Sequence, residues 1–117
     1  MNSGLSAQGF KMRQVSANEL MRRLKAFFLR EERRWNRGNK KFGIENDKIV
    51  EYMVIEKRDA DHVEVRTDSL AYEMFYDSST ADYPSLMHPY HTRFYDFIRK
   101  LGWNMEAEGG GILTLFR

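Results

Sequence analysis

The chain has 117 residues, contains no cysteine, and carries 19 lysines and arginines against 17 aspartates and glutamates. This length suits one domain, and an apolar fraction of 42% excludes a disordered chain. Without cysteine there is no disulfide framework and no thiolate metal site, and no apolar run reaches the roughly 18 residues that a membrane span needs. We therefore expect a soluble, cytoplasmic, single globular domain.

The net charge of +2 conceals two unlike halves. Residues 1–41 hold eleven basic and three acidic side chains, a net charge of +8, whereas residues 42–117 hold eight basic and fourteen acidic ones, a net charge of −6. Such asymmetry is typical of a surface that binds a polyanion or a charged partner. The alternative is that the acidic part of the chain folds against the basic part and neutralises it.

The beginning of the chain separates into an arm and a helix. Residues 1–14 are rich in Gly, Ser, Asn and Gln and lack a hydrophobic period and the apolar core of a signal peptide, so we expect a flexible N-terminal arm before a domain over residues 15–117. A capping box from Ser16 to Glu19 marks the start of the first helix. We expect this helix to run to about residue 36.

The first helix has two dissimilar faces when its residues are placed at 100° intervals. One face is apolar and is expected to pack on the core: Leu20, Met21, Leu24, Phe27, Phe28 and Trp35. The opposite face carries six arginines: Arg22, Arg23, Arg30, Arg33, Arg34 and Arg37. Like charges four residues apart repel each other, so this concentration indicates a binding function rather than solubility alone.

Glu31 is the exception, because it falls within the apolar face. Either the helix ends or bends before Trp35, or Glu31 is partly buried with a tyrosine hydroxyl or an arginine as its partner. The main expectation is an ion pair at the edge of the core, and the alternative is a functional carboxylate in a cleft.

The middle of the chain favours strands. Residues 49–57 are rich in β-branched and aromatic side chains, and residues 62–67 alternate strictly. Residues 70–76 alternate again, so the three segments predict an antiparallel meander. The spacing of the apolar residues in 69–76 also fits a helix, and that alternative stays open.

The last third predicts a loop, a helix and a hairpin. Residues 77–88 are rich in Ser, Thr, Asp and Pro, which is typical of a loop. Pro89 suits the first position of a second helix, which Gly102 would end. Residues 103–107 and 112–116 flank three glycines and predict a terminal hairpin.

Together these elements predict a single small α+β domain with the order α-β-β-β-α-β-β. Two helices would pack on an antiparallel sheet.

Catalytic and metal-binding patterns are weak. His88 and His91 lie three residues apart and could share a metal with Asp82 or Asp96, or act as acid–base groups. No metalloprotease, nucleophile-elbow or phosphate-loop motif is present. A helix cap and a surface group explain the two histidines better, so we predict a non-enzymatic protein with no metal and no cofactor.

Aromatic residues are dense between positions 72 and 97, and most should belong to the core. Tyr83, Tyr90 and Tyr95 are the expected exceptions, in a loop or at the outer edge of a helix. An exposed tyrosine can stack on an unpaired base or anchor a protein interface.

The arginines therefore carry the functional prediction. Guanidinium is permanently charged and grips phosphate through two hydrogen bonds. We predict a regulatory protein that binds nucleic acid or a nucleoprotein complex. The alternative is a small inhibitor or adaptor that binds an acidic protein surface, and a version of it is a homodimer formed by self-association. The predicted contact residues are Arg22, Arg23, Arg30, Arg33, Arg34, Arg37, Lys40, Lys41, Tyr83 and Tyr90.

Overall fold

The computed structural model describes residues 14–43, 46–75, 84–109 and 111–117. These residues contain three helices, one 3-10 turn and four strands. In chain order they are helix α1 (Ala17–Gly38), the 3-10 turn (Lys40–Phe42), strands β1 (Val54–Asp59) and β2 (His62–Arg66), helices α2 (Ser69–Phe75) and α3 (Pro84–Lys100), and strands β3 (Asn104–Gly109) and β4 (Ile112–Phe116). The residues of the predicted N-terminal arm before Gln14 lie outside this range.

The strands form one antiparallel sheet with the order β1-β2-β4-β3. Two hairpins meet along β2 and β4, where Val63 faces Leu115 and Val65 faces Leu113. These four side chains are completely buried, and their neighbours in each strand point to the other face, as the alternation of a strand requires. The helices cover the buried face, which confirms the α+β class.

Helices α1 and α3 pack antiparallel through aromatic side chains. Phe27 stacks on Phe97 with ring centroids 4.4 Å apart, and Trp35 meets the edge of Tyr90 at 5.6 Å near the other end of the pair. At the start of α1, the indole of Trp103 donates a 2.8 Å hydrogen bond to the carbonyl of Val15. The apolar face that the sequence predicted for α1 is therefore the face that seals the core.

The third predicted strand is wrong, because residues 69–75 form helix α2. The side chain of Asp68 accepts a 3.0 Å hydrogen bond from the amide of Ala71, which caps the helix. Ala71, Met74 and Phe75 are completely buried, and their i, i+3, i+4 spacing is helical. The helical alternative for this segment is confirmed.

The predicted loop over 77–88 and the helix start at Pro89 are also wrong where the structure describes them. Helix α3 begins at Pro84, and Pro89 lies inside it. Proline suits the first helical position because it has no amide hydrogen to leave unpaired. Pro84 takes that position, and the helix continues through Pro89 with one main-chain hydrogen bond fewer.

The first predicted strand begins later than expected, at Val54 rather than Ile49. The carboxylate of Glu32 in α1 accepts hydrogen bonds from the amides of Ile49, at 2.6 Å, and Val50, at 3.0 Å. These amides are therefore unavailable to a neighbouring strand, and residues 49–52 bend and turn instead of extending.

Candidate polyanion-binding surface

Helix α1 presents its arginines to solvent because its opposite, apolar face packs on the core. The hydroxyl of Ser16 accepts the amide hydrogen bond of Glu19 at 3.1 Å, which confirms the predicted cap. All six arginines of the predicted face are exposed. We call these six residues the arginine face: Arg22, Arg23, Arg30, Arg33, Arg34 and Arg37.

The first turn of the arginine face is partly neutralised by Glu19 of the same helix. Glu19 accepts a 2.5 Å hydrogen bond from Nη2 of Arg22 and a 2.6 Å hydrogen bond from Nε of Arg23. The hydrogen bonds from Arg23 and then Arg22 hold the pKa of Glu19 below its usual value, so the carboxylate stays charged at neutral pH. One acid thus occupies two arginines.

Glu31 points away from the arginine face and into the contact between α1 and α3. Its side chain is 3% exposed, and Arg93 of α3 donates to both of its oxygens, with Nη2–Oε1 at 2.7 Å and Nε–Oε2 at 3.2 Å. The prediction of an ion pair at the edge of the core is confirmed. Arg34 approaches the same carboxylate at 3.7 Å and remains 53% exposed.

Glu32 is also directed away from the arginines, because its carboxylate binds the amides of Ile49 and Val50. Both acids in the second half of α1 are therefore engaged by other parts of the fold. The charge on the outer side of this half of the helix is left to the arginines alone.

Three arginines make no ion pair with any carboxylate in the described parts of the chain: Arg30, Arg33 and Arg37. We call these three the arginine ridge. Successive residues turn by about 100° and rise by about 1.5 Å, so the ridge lies within about 60° of the helix circumference and extends about 10 Å. Lys40 and Lys41 follow it, are exposed, and make no ion pair with a described carboxylate.

A shallow groove runs beside the arginine face, between α1 and α3. It is lined by Arg22, Arg23, Ala26 and Arg30 from α1 and by Phe97 from α3. The small side chain of Ala26 leaves the space between the guanidinium groups.

The tyrosines differ from the expectation. Tyr90 is only 9% exposed, and its ring lies between Trp35 and the guanidinium of Arg93, 4.7 Å from the ring centroid. Burial raises the pKa of Tyr90 above its usual value. Its predicted exposure is wrong, because Tyr90 precedes the buried Phe94 by four residues in α3 and therefore lies on the face of that helix that packs on the core. Tyr83 lies outside the described residues, and Tyr95 is 42% exposed, as expected.

His62 and His91 are engaged within the fold, and the side chain of His88 lies outside what the structure describes. Nδ1 of His91 lies 3.2 Å from the carbonyl oxygen of Phe75, and its ring stacks on Tyr95. His62 pairs with Asp59 at 2.8 Å. Within the described ranges, no group of three or more histidine or acidic residues is placed to hold a metal ion.

Sequence reasoning missed Phe42, which is the most exposed large apolar side chain described, at 68%. It lies in the 3-10 turn Lys40–Phe42, between the predicted first helix and the predicted first strand, where the sequence predicted neither a helix nor a strand. The run Lys40, Lys41, Phe42 and Gly43 was the available signal, since an aromatic residue beside lysines and before a glycine suits an exposed turn.

None of the helices described is both long and apolar enough to cross a membrane. Comparisons with protein-family models, with curated proteins and with solved structures give no match. The class defined by the fold is a two-layer α+β domain, and the feature on which a function can be argued is the exposed cationic side of its first helix.

Proposed function

We propose that the protein is a non-enzymatic regulatory protein that binds nucleic acid, alone or within a nucleoprotein complex, through the arginine ridge. The observation that carries the proposal is the contrast within one helix. Glu31 and Glu32 are drawn into the fold, whereas Arg30, Arg33 and Arg37 face solvent without a described carboxylate partner.

Phosphate is the anion that suits this arrangement. A guanidinium group presents a rigid fork of donors that fits two phosphate oxygens, and contacts to phosphate fix position without reading sequence. Three such forks along about 10 Å of helix could contact successive phosphates of one strand. The proposed binding is therefore governed by charge and depends little on base sequence.

Salt dependence gives the first test. If the ridge and one neighbouring lysine neutralise about four phosphates, the slope of log affinity against log salt for duplex DNA is about −3.6. The measurement is a fluorescence anisotropy titration of a labelled duplex between about 50 and 200 mM salt. Binding that does not respond to salt would contradict the proposal.

The arginine face supplies its own matched control. The variant Arg30→Gln/Arg33→Gln/Arg37→Gln should lower the magnitude of the slope by about 2.7, because three contacts are lost. The variant Arg22→Gln/Arg23→Gln removes two exposed arginines whose guanidinium groups are already hydrogen-bonded to Glu19, so its slope should change less for each charge removed. Equal effects per residue removed would show that general positive charge, rather than the ridge, is responsible.

The rival function is the grip of an acidic protein surface by the same arginines. Polyglutamate offers the charge of such a surface without phosphate geometry. The protein-binding adaptor would be favoured over the nucleic-acid-binding protein by two results together. The protein would bind polyglutamate as tightly as it binds an oligonucleotide, and the triple variant would lose both interactions equally.

A further inference from the structure

Phe42 stands at the end of the arginine ridge with its ring in solvent. Its side chain is 68% exposed, and Nζ of Lys41 lies 5.3 Å from the ring centroid. Its sequence neighbours Lys40, Lys41 and Gly43 are all exposed. The ring is therefore an exposed apolar surface with lysines among its described neighbours.

Hydrogen bonds hold the turn that carries this ring. The side-chain amide of Asn39 donates to the carbonyl of Trp35 at 3.0 Å, which ties the turn to the last turn of α1. The amide of Phe42 donates to the carbonyl of Asn39 at 3.0 Å, and the amide of Gly43 donates to that of Lys40 at 2.9 Å. Gly43 has a φ of +82°, a conformation that glycine adopts without strain.

The ring and the ridge belong to one continuous stretch of surface chain. Phe42 follows Arg37 by five positions, so their Cα atoms lie within about 18 Å of each other even if the connection were fully extended. Sites for single-stranded nucleic acid cover about 4 to 16 nucleotides. A strand of that length reaches from the ridge to the ring.

We propose that the nucleic acid bound by this protein is single-stranded, with an unpaired base stacked on Phe42 while the adjoining phosphates lie along Arg30, Arg33 and Arg37. This inference rests on the function proposed above and names the class of ligand. Proteins bind single strands by combining a positively charged surface, which follows the phosphates, with exposed aromatic rings. Such a ring tolerates any sequence, because every base has a face that can stack.

A protein partner fits the surroundings of Phe42 less well. Aromatic anchors of protein interfaces lie in packed, desolvated patches, and the exposed residues on either side of Phe42 are Lys41 and Gly43. In a duplex the bases are already stacked on each other, so an aromatic ring gains little from a blunt duplex beyond its two ends.

The test compares Phe42→Ala with wild type on a labelled single strand of about 12 nucleotides and on a blunt duplex of the same sequence. We expect the variant to weaken single-strand binding by about fivefold or more, with duplex binding nearly unchanged. Phe42→Tyr keeps a stacking ring and should retain single-strand affinity, whereas Phe42→Leu should behave like the alanine variant. The salt slope should not change in any of the three, because no charge is removed.

The outcomes separate this inference from the proposed function. If Phe42→Ala has no effect on single-strand binding while Arg30→Gln/Arg33→Gln/Arg37→Gln still weakens binding and lowers its salt slope, the stacking site is overturned and the proposed function stays intact. Equal weakening of strand and duplex, or loss of polyglutamate binding in Phe42→Ala, would also overturn it. Salt-insensitive binding by wild type would overturn both. Thermal unfolding of each variant serves as the folding control, and an unchanged midpoint is expected because the ring is exposed.

Discussion

The ion pair between the buried Glu31 and Arg93 allows a quantitative test of how much this contact between α1 and α3 stabilises the fold. Replacing Arg93 by methionine keeps most of the apolar stem and removes the charge. Glu31 is 3% exposed and loses contacts at 2.7, 3.0 and 3.2 Å. Removing one partner of a buried pair destabilises a protein by about 3–5 kcal/mol, because the remaining charge is left in the interior.

Two features place the expected value at the lower end of that range. Arg93 is itself 32% exposed, and Arg34 remains 3.7 Å from the carboxylate after the substitution. We therefore expect Arg93→Met to lower the free energy of unfolding by about 3 kcal/mol. The assay is urea unfolding followed by tryptophan fluorescence, analysed as a two-state transition.

The double variant Glu31→Leu/Arg93→Met is the control. It removes both charges and fills the site with apolar atoms, so it should recover most of the lost stability. A loss below about 1 kcal/mol for Arg93→Met would refute the reasoning. A double variant as unstable as the single variant would refute it as well, because an unpaired buried charge could then not be the cause.

Two further predictions concern the ion pairs of Glu19 and the backbone conformation of Gly111. Glu19→Gln should release Arg22 and Arg23, raising the affinity for oligonucleotide and steepening the salt slope by up to about 1.8; an unchanged slope would show that these two arginines do not reach the ligand. Gly111→Ala should lower the free energy of unfolding by about 2 kcal/mol or more, because φ is +80° and the new Cβ would lie 2.6 Å from the carbonyl oxygen of Thr67. In Gly43→Ala, no described atom lies within 4 Å of the new Cβ, and φ is +82°. This variant should cost only about 1 kcal/mol, so equal losses in urea unfolding would contradict the role given to the Thr67 contact.

The features that the sequence predicted well are those encoded by neighbouring residues. The cap at Ser16, the apolar face of α1 and the exposure of its arginines follow from spacing along one helix, and the structure confirms them. The hairpin of β3 and β4 follows in the same way from alternation around a glycine turn. These signals act over a few residues, so no knowledge of the packing is needed to interpret them.

Segments whose local signals were balanced were decided by packing. Residues 69–75 fit either period, and the cap from Asp68 together with burial against α3 selects the helix. The sequence favoured Pro89 as the start of α3 and placed Pro84 in a loop, and only the structure shows that the helix begins at Pro84. The start of β1 depends on Glu32, which lies 17 residues before the amide that it binds.

By itself, the sequence determined that this protein is a small α+β domain whose first helix has one apolar and one arginine-rich face. Only the tertiary structure decided which arginines are free. Glu31 meets Arg93 across 62 residues of chain, and a pairing of this kind depends on where two helices cross rather than on any local pattern. Because Glu31 and Glu32 are drawn inward, Arg30, Arg33 and Arg37 keep no carboxylate partner among the described residues. The fold itself therefore sets the charge that this surface presents.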